Sequence, residues 1–301
     1  MGLLDRFKTK RGSDTDKESP ENVSKAASEA AVSIIKRLSG HNAKRTKKVI
    51  DNVITISNAS GGAGASTITS NVAYMLGERG LKVLVIDLNV MYPIQHSYFG
   101  VKQEIERADL VSYLLGKNSL GDSINSSGEV SLLYANNRSL MDSINCESDI
   151  AVTNFQIAVD KMRQLFDVIL IDAPMRIDHT LVNTAFYMSD QIYLAWDEGI
   201  ASIANTERIR RNMALSGIDS YTKMKVVLNK KTSIHYSNYP FQKLNIELVQ
   251  ILPFDVEIID SGLRSQVFCD KGSSASKNSN VFYEGIQSLS DKILEHGGYV
   301  K

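Results

Sequence analysis

Residues 53–77, VITISNASGGAGASTITSNVAYMLG, decide the fold of this chain. β-branched residues fill the beginning of this stretch and predict a strand that ends near Asn58. Apolar residues recur at helical spacing from Ile68 onward, so the end of the stretch predicts a helix. Between the two lies a loop of small residues. A strand, a small-residue loop and a helix in this order are typical of phosphate-binding units in α/β proteins.

The loop Ala59–Thr67 matches the spacing of the phosphate loop G-x-x-x-x-G-K-[ST], with Ala59 at its first position and Ala65 where lysine belongs. Ser66 stands where the hydroxyl that binds magnesium belongs. Ala65 removes a point charge that normally reaches the outer phosphates, which predicts binding with weakened phosphoryl transfer. A glycine-rich turn that binds nothing is the alternative. Three glycines allow the backbone to turn its N–H groups toward one point: Gly61, Gly62 and Gly64.

Composition favours a single intracellular domain. The chain has 301 residues, of which 43% are hydrophobic, enough for one large core. The chain has 34 basic residues (lysine plus arginine) and 34 acidic residues (aspartate plus glutamate), so its formal net charge is zero. A zero net charge gives no global attraction to nucleic acid or acidic membranes. Cys146 and Cys269 have neither metal-ligand spacing nor the density of a disulfide framework. Because no apolar run approaches the roughly 20 residues of a membrane span or forms a signal peptide, we expect a cytoplasmic protein.

Residues 1–50 differ in composition from the rest and are predicted to form a flexible or helical extension ahead of a domain at 51–301. Residues 1–8, MGLLDRFK, could form a short amphipathic turn that contacts a membrane weakly, although a frayed tail is favoured. Residues 22–38 carry helix-forming residues with an apolar stripe. The basic run at 44–48 is short and predicts a solvated linker rather than a nucleic-acid contact.

Apolar strands alternate with helices along the rest of the chain. Several of the strands are apolar throughout, as in strands buried on both faces of a parallel sheet. The sequence therefore predicts a doubly wound α/β domain with a mostly parallel sheet flanked by helices. The predicted segments are strands at 82–87, 130–134, 166–172, 190–196 and 225–230 and helices at 108–115, 153–165, 201–209 and 281–294.

The strand at 166–172 ends in an acid, Asp172, followed by Ala173 and Pro174. The carboxyl ends of parallel strands meet at the sheet edge where α/β proteins bind ligands. An aspartate at that edge can hold magnesium through water. A simple turn residue is the alternative, but the phosphate-loop pattern upstream favours the metal interpretation.

Three motifs resemble those of the ParA/MinD ATPases. SGGAGAST at 60–67 resembles their deviant Walker A loop, [KR]-G-G-x-G-K-[ST]-[ST], with Ser60 at the signature lysine that reaches across an ATP-sandwich dimer. FDVILIDAP at 166–174 resembles their Walker B strand. DLN at 87–89 resembles their D-x-D, whose second acid helps place the attacking water and is Asn89 here. The form GGxGAST is most similar to the TadZ/CpaE branch, which localises the type IVb (Tad) pilus and secretion apparatus.

The resemblance implies ATP or ADP and Mg²⁺ as ligands. In relatives an asparagine after a later strand contacts the adenine edge, and Asn229 matches it. The backbone of an [IL]-P-x-D segment lines their base pocket, and residues 252–255 match that segment. The expected nucleotide-binding residues are Ser60, Gly61, Gly62, Ala63, Gly64, Ala65, Ser66, Thr67, Asn229, Pro253, Phe254 and Asp255, and the expected metal ligands are Ser66, Asp87 and Asp172.

Three functions stay open at this point. The first is a nucleotide-dependent localisation factor that dimerises through its nucleotide face, hydrolyses ATP weakly or not at all, and marks where a pilus or secretion machine assembles, at a cell pole or the inner face of the membrane. The second is an active partition-type or MinD-like ATPase, which predicts a loop lysine and a DNA-binding surface. DNA binding is disfavoured, because Arg208, Arg210 and Arg211 are assigned to a solvated helix face. The third is a nucleotide-free scaffold, favoured by the three replaced motif positions and opposed by the retained glycines and acids.

Overall fold

The computed structural model describes six segments of the chain: residues 51–104, 107–136, 145–176, 179–232, 239–270 and 277–299. The amphipathic turn expected at 1–8, the helix expected at 22–38 and the basic run at 44–48 lie outside the described residues. None of the helices in these six segments combines the length and the apolarity that a membrane-spanning helix needs.

The described segments contain one sheet of eight strands. The strands are β1 Val53–Asn58, β2 Val83–Asp87, β3 Asn125–Ser127, β4 Val130–Leu133, β5 Val168–Ala173, β6 Gln191–Trp196, β7 Met224–Lys231 and β8 Glu247–Pro253. Their order across the sheet is β3-β4-β2-β5-β1-β6-β7-β8. Every neighbouring pair is parallel except β3 and β4. The prediction of a mostly parallel α/β sheet is therefore confirmed.

Helices connect the strands and cover both faces of the sheet. In the described segments they are α1 Ala65–Gly77, α2 Gln95–Tyr98, α3 Leu110–Leu114, α4 Leu120–Ser123, α5 Asp149–Leu165, α6 Thr180–Met188, α7 Ile200–Leu215, α8 Ser220–Lys223, α9 Tyr239–Leu244, α10 Val256–Leu263 and α11 Lys277–His296.

Capping residues explain where two of the helices differ from the predicted bounds. α5 begins four residues before the predicted 153, because the Ser148 side chain caps it by accepting from the Ala151 N–H at 3.3 Å. α3 is shorter than the predicted 108–115, since Asp109 forms a capping box with Ser112 and so ends the preceding extended chain. α11 is longer at both ends than the predicted 281–294.

Strand residues alternate between two buried faces. In β5, Val168 and Leu170 belong to the core that includes α1 and α11, whereas Ile169 and Ile171 belong to the core that includes α5 and α6. Ile209 of α7 belongs to a third cluster, which continues the second face. Because helices cover both faces, the central strands are apolar throughout, and each fully buried Leu or Ile contributes about 1.5–3 kcal/mol.

Sequence reasoning missed β3, β8, α6 and the short helices α2, α4, α8, α9 and α10. β3 and β8 are the two edge strands of the sheet. Edge strands tolerate polar residues because one side has no strand partner, and both β3 (NSS) and β8 (ELVQILP) carry them. The apolar signal that identified the central strands is therefore weak at both edges.

The sheet order places the glycine-rich loop at a topological switch point. β1 lies between β5 and β6. From β1 the chain continues to β2, on the β5 side of the sheet, and it later crosses to β6 on the other side of β1. In doubly wound sheets ligands bind at the carboxyl ends of the strands where the order reverses. The loop after β1 opens at this point, beside the ends of β5 and β6.

Candidate functional site

The loop between β1 and α1 presents its backbone N–H groups at the start of α1. Gly64 precedes the helix with a left-handed backbone, φ 99°, and Gly62 is also left-handed, φ 75°. The Ala65 N–H donates to Asn58 Oδ1 at 2.9 Å, which joins the two ends of the loop. Within the described segments, the N–H groups of Gly61, Gly62 and Gly64 donate to no protein acceptor. They are available to an anion at the positive end of a 13-residue helix.

Side chains from distant elements bind the carbonyl groups of this loop. Asn229 Nδ2 donates to Ala63 O at 2.9 Å, and Lys230 Nζ donates to Gly62 O at 2.6 Å. Asn205 Nδ2, from α7, donates to the carbonyl of the first loop residue at 2.8 Å. These side chains therefore hold the loop through its carbonyl groups, and the N–H groups of its three glycines are left for a ligand.

The two positions where relatives carry lysine are both buried. Ala65 is fully buried in the core beneath the loop. The Ser60 hydroxyl lies 3.2 Å from Ser202 Oγ, which in turn lies 2.7 Å from the Asp197 carboxylate. Ser60 thus ties the loop to the first turn of α7, and its side chain has a role within the fold.

Asp87 and Asp172 are direct neighbours at the ends of β2 and β5, and both are buried. Burial raises the pKa of Asp87 to about 7, and the nearby Asp172 charge adds to this, while the N–H groups of Gln95, Ile94 and Asn89 act in the opposite direction. Burial also raises the pKa of Asp172 to about 6. Two buried acids this close are costly to ionise together without a cation.

Gln95 lies between the phosphate loop and the second acid. Its Nε2 donates to the Ser66 carbonyl at 3.0 Å and to Asp172 Oδ2 at 2.7 Å. The Ser66 hydroxyl lies close enough to the Asp172 carboxylate to lower its pKa, against the effect of burial. The structure therefore brings the three predicted metal ligands together, and adds Gln95, which no motif marks. Its Oε1 is buried and has no hydrogen-bond partner among the described residues.

This arrangement fits magnesium bound together with a phosphate. In the described segments no group of three or more His, Cys, Asp or Glu residues is placed to hold a metal ion. Magnesium does not need one, because it is usually bound by one or two carboxylates, water and substrate phosphates. The Ser66 hydroxyl and the acids Asp87 and Asp172 supply such a set. A divalent cation would also neutralise the two buried acids.

A cavity of about 310 Å³ opens next to the loop. Pockets for small ligands begin at about this size. The Asp255 carboxylate accepts from the Glu257 N–H at 2.9 Å and so caps α10, which leaves the backbone of this segment to face a ligand. The cavity lining includes five of the residues expected to contact the nucleotide: Thr67, Asn229, Pro253, Phe254 and Asp255.

The amide of Asn229 has a structural contact in addition to its place in the cavity. Its Nδ2 is bound to the Ala63 carbonyl, and a Cβ at Gly64 would lie 2.3 Å from this nitrogen. For a contact with an adenine edge, Asn229 keeps its amide oxygen and the second hydrogen of Nδ2. That contact stays a prediction.

One expectation about the surface of α7 is wrong. Arg208 and Arg211 are exposed, as expected for a solvated face. Arg210 is only partly exposed, donates to two backbone carbonyls at the end of α9, and lies 4.7 Å from the centre of the Tyr221 ring. Arg210 therefore packs α7 against its neighbours, and the three arginines do not form one patch.

The fold and the site together define a P-loop nucleotide-binding protein of the ParA/MinD type. The AAA_31 family, described as an AAA domain, matches residues 51–251. The chain belongs to this family, and the resemblance to ParA/MinD ATPases is confirmed. Families of this kind bind nucleotide together with Mg²⁺.

Relatives and solved structures agree with this assignment. The septum site-determining protein MinD of Thermotoga maritima is 24% identical over 254 residues, which cover 82% of this chain and 89% of that protein. MinD of Pyrococcus horikoshii, solved with Mg-ADP, superposes with a TM-score of 0.66 at 20% identity, covering 80% of this chain and 95% of that one. A ParA family ATPase of Chlorobium tepidum has a TM-score of 0.66 at 18% identity, covering 80% and 98%. At these identities the two structures show the fold.

Proposed function

We propose that this protein is a nucleotide-dependent localisation factor that binds ATP and Mg²⁺, dimerises through its nucleotide face and marks the place where a partner assembly forms. One observation carries the proposal. A phosphate loop with free N–H groups lies beside two buried acids, while the groups that drive hydrolysis in relatives are replaced. This combination favours a structural switch, because binding shifts a population between conformers without hydrolysis.

The chain's own residues can be assigned to parts of the nucleotide. The free N–H groups of the loop and the start of α1 would bind the phosphates. Ser66, Asp87 and Asp172 would hold Mg²⁺, which supplies positive charge beside the phosphates. The cavity next to Asn229 would receive the base. Gln95 would orient Ser66 and Asp172, because its amide nitrogen contacts both residues.

Weak hydrolysis follows from the replaced positions. Asn89 stands where relatives carry the second acid, and an amide can orient a water but cannot take its proton as a carboxylate does. Ala65 brings no charge to the outer phosphates. Ser60 is bound to Ser202 and is too short to reach across a dimer. The bound nucleotide would therefore persist and act as a switch.

The partner assembly we propose is a Tad-type pilus or secretion apparatus, with recruitment to a pole or the inner face of the membrane. The form GGxGAST supports this, because it is most similar to the TadZ/CpaE branch. The role of the Thermotoga maritima relative in septum site determination supports positioning in general.

Calorimetry with Mg-ATP and Mg-ADP on the full chain tests the proposal, with mass followed by light scattering and with phosphate release measured in parallel. We expect saturable ATP binding, a doubling of mass and negligible phosphate release. EDTA serves as the control, since it should weaken ATP binding. Rapid turnover would favour an active partition or positioning ATPase instead. No binding at millimolar ATP would leave the nucleotide-free scaffold.

A further inference from the structure

We infer that Lys230 supplies the phosphate-binding cation that the loop sequence lacks. The inference rests on the proposed nucleotide site and deepens it. Lys230 is 168 positions from its loop partner Gly62 in the sequence, yet its Nζ lies 2.6 Å from the Gly62 carbonyl. A lysine ammonium is a flexible point charge with three donors, and lysines in phosphate loops bind phosphate as point charges.

A local distortion of β7 directs this side chain toward the loop. The pairing of β7 with β8 shifts register between Leu228 and Lys231, and Lys230 has a left-handed backbone, φ 55°. A left-handed backbone is strained for a residue with a side chain. Such irregularities occur next to functional sites, where they redirect a side chain. Here the result is that Asn229 and Lys230 both contact the loop.

The neighbouring Lys231 also lies near the site, but its ammonium is already paired with a carboxylate. Lys231 Nζ lies 2.8 Å from Glu198 Oε1, and this ion pair neutralises its charge. Lys230 forms no ion pair with any described residue, and its side chain is exposed at the mouth of the loop. Its ammonium can therefore exchange the Gly62 carbonyl for a phosphate oxygen, or bind both.

The arrangement also explains how the loop tolerates Ala65. That position is fully buried in the core, so the cation normally carried at the start of the helix has no counterpart there. Lys230 instead lines the cavity beside the loop, together with Asn229. The loop N–H groups and the ammonium would then contact the same phosphates.

A purely structural role for Lys230 makes a different prediction. If the ammonium did no more than hold the Gly62 carbonyl, its loss would weaken every nucleotide equally. The attraction between a cation and a phosphate ligand becomes stronger as the negative charge of the ligand increases. Its loss should therefore weaken ATP most, ADP less and AMP least.

The test is calorimetry of the full chain with Mg-ATP, Mg-ADP and AMP, comparing wild type with Lys230→Gln, Lys230→Arg and Lys231→Ala. Lys230→Gln removes the charge but keeps an N–H donor for Gly62. We expect ATP affinity to fall roughly ten- to a hundredfold in Lys230→Gln, as a charged hydrogen bond of about 1.5–3 kcal/mol implies. Lys230→Arg should remain within a few-fold of wild type. Lys231→Ala changes the net charge by the same amount without removing a loop contact, and should show a much smaller dependence on phosphate number.

Thermal unfolding without nucleotide checks that each variant is folded. Wild-type ATP affinity in Lys230→Gln, or an equal loss for all three nucleotides, would overturn the inference while leaving the proposed function intact. Failure of the wild-type chain itself to bind ATP would overturn both.

Discussion

Gly64 is constrained both by its backbone conformation and by a neighbouring side chain. Its φ of 99° favours glycine, and a Cβ there would lie 2.3 Å from Asn229 Nδ2. Gly61, three residues earlier, has open space around its Cβ position. A new methyl group would therefore clash with Asn229 at position 64 but would have free space at position 61.

We expect Gly64→Ala to lower the free energy of unfolding by about 1–3 kcal/mol and to separate Asn229 from the Ala63 carbonyl. Gly61→Ala should stay within about 0.5 kcal/mol of wild type. Urea unfolding of the nucleotide-free protein measures both values. Equal stability of the two variants would show that the loop relaxes around the new methyl group.

The buried acids Asp87 and Asp172 make the metal-free protein sensitive to pH. Burial raises the pKa of both above the usual value, so the folded chain keeps protons that the unfolded chain has lost. Stability should therefore fall as pH rises from about 4 to about 7. Urea midpoints at pH 5 and pH 8 in EDTA measure this.

Asp172→Asn should flatten that pH dependence, because an amide does not titrate and no longer repels the Asp87 charge. Asp160→Asn, on the exposed side of α5, provides the control and should keep the wild-type slope. A wild-type protein that is more stable at pH 8 than at pH 5 would contradict the cause assigned to the raised pKa values.

At the scale of elements, α11 packs tightly against β8 at Gly285. A Cβ at this position would lie 2.6 Å from the Leu252 side chain and 3.2 Å from Gln250 Nε2. Since Leu252 is fully buried, a larger residue must push the helix away from the strand. This contact packs α11 against the edge strand β8.

Gly285→Leu is therefore expected to destabilise the fold by about 1–3 kcal/mol through overpacking. Gln287→Leu, two residues along the same helix and exposed, introduces the same side chain and should change stability by less than about 0.5 kcal/mol. Thermal unfolding of both variants makes the comparison. A stabilised Gly285→Leu would mean that the helix gains more from losing glycine than the contact costs.

The pattern of apolar residues in the sequence predicted the strands that are buried on both faces. It did not identify strands that are only partly buried. β1, β2, β5 and β6 are buried almost throughout, and their apolar runs identified them. The polar edge strand β3 is held by its pairing with β4, which is a property of the assembled sheet. The distortion near the end of β7 has no local signal, because it arises from pairing with β8.

The whole molecule presents exposed apolar side chains on the same side as the loop. Ile200 is 83% exposed at the first position of α7, the helix whose Ser202 and Asn205 contact the loop. Met175, just after β5, is also exposed. A dimer that forms through the nucleotide face would cover such residues.

Ile200→Glu should leave ATP binding intact and prevent the doubling of mass in Mg-ATP, because a carboxylate would be buried in the dimer. Leu215→Glu offers a matched control, since Leu215 is also 83% exposed and lies at the other end of α7, about 22 Å away. Light scattering with Mg-ATP distinguishes the variants. Dimerisation of Ile200→Glu at the wild-type concentration would place the interface elsewhere.

The sequence by itself determined the loop, the acids at the ends of two strands and the parallel α/β class, because each depends on residue types at short, regular spacing. The tertiary structure decided which side chains complete the site. Gln95 reaches Ser66 and Asp172, and Lys230 reaches Gly62, across 29, 77 and 168 positions of the chain. Such contacts depend on strand order, on register and on one left-handed residue, and these are set by packing between distant segments rather than by any local pattern.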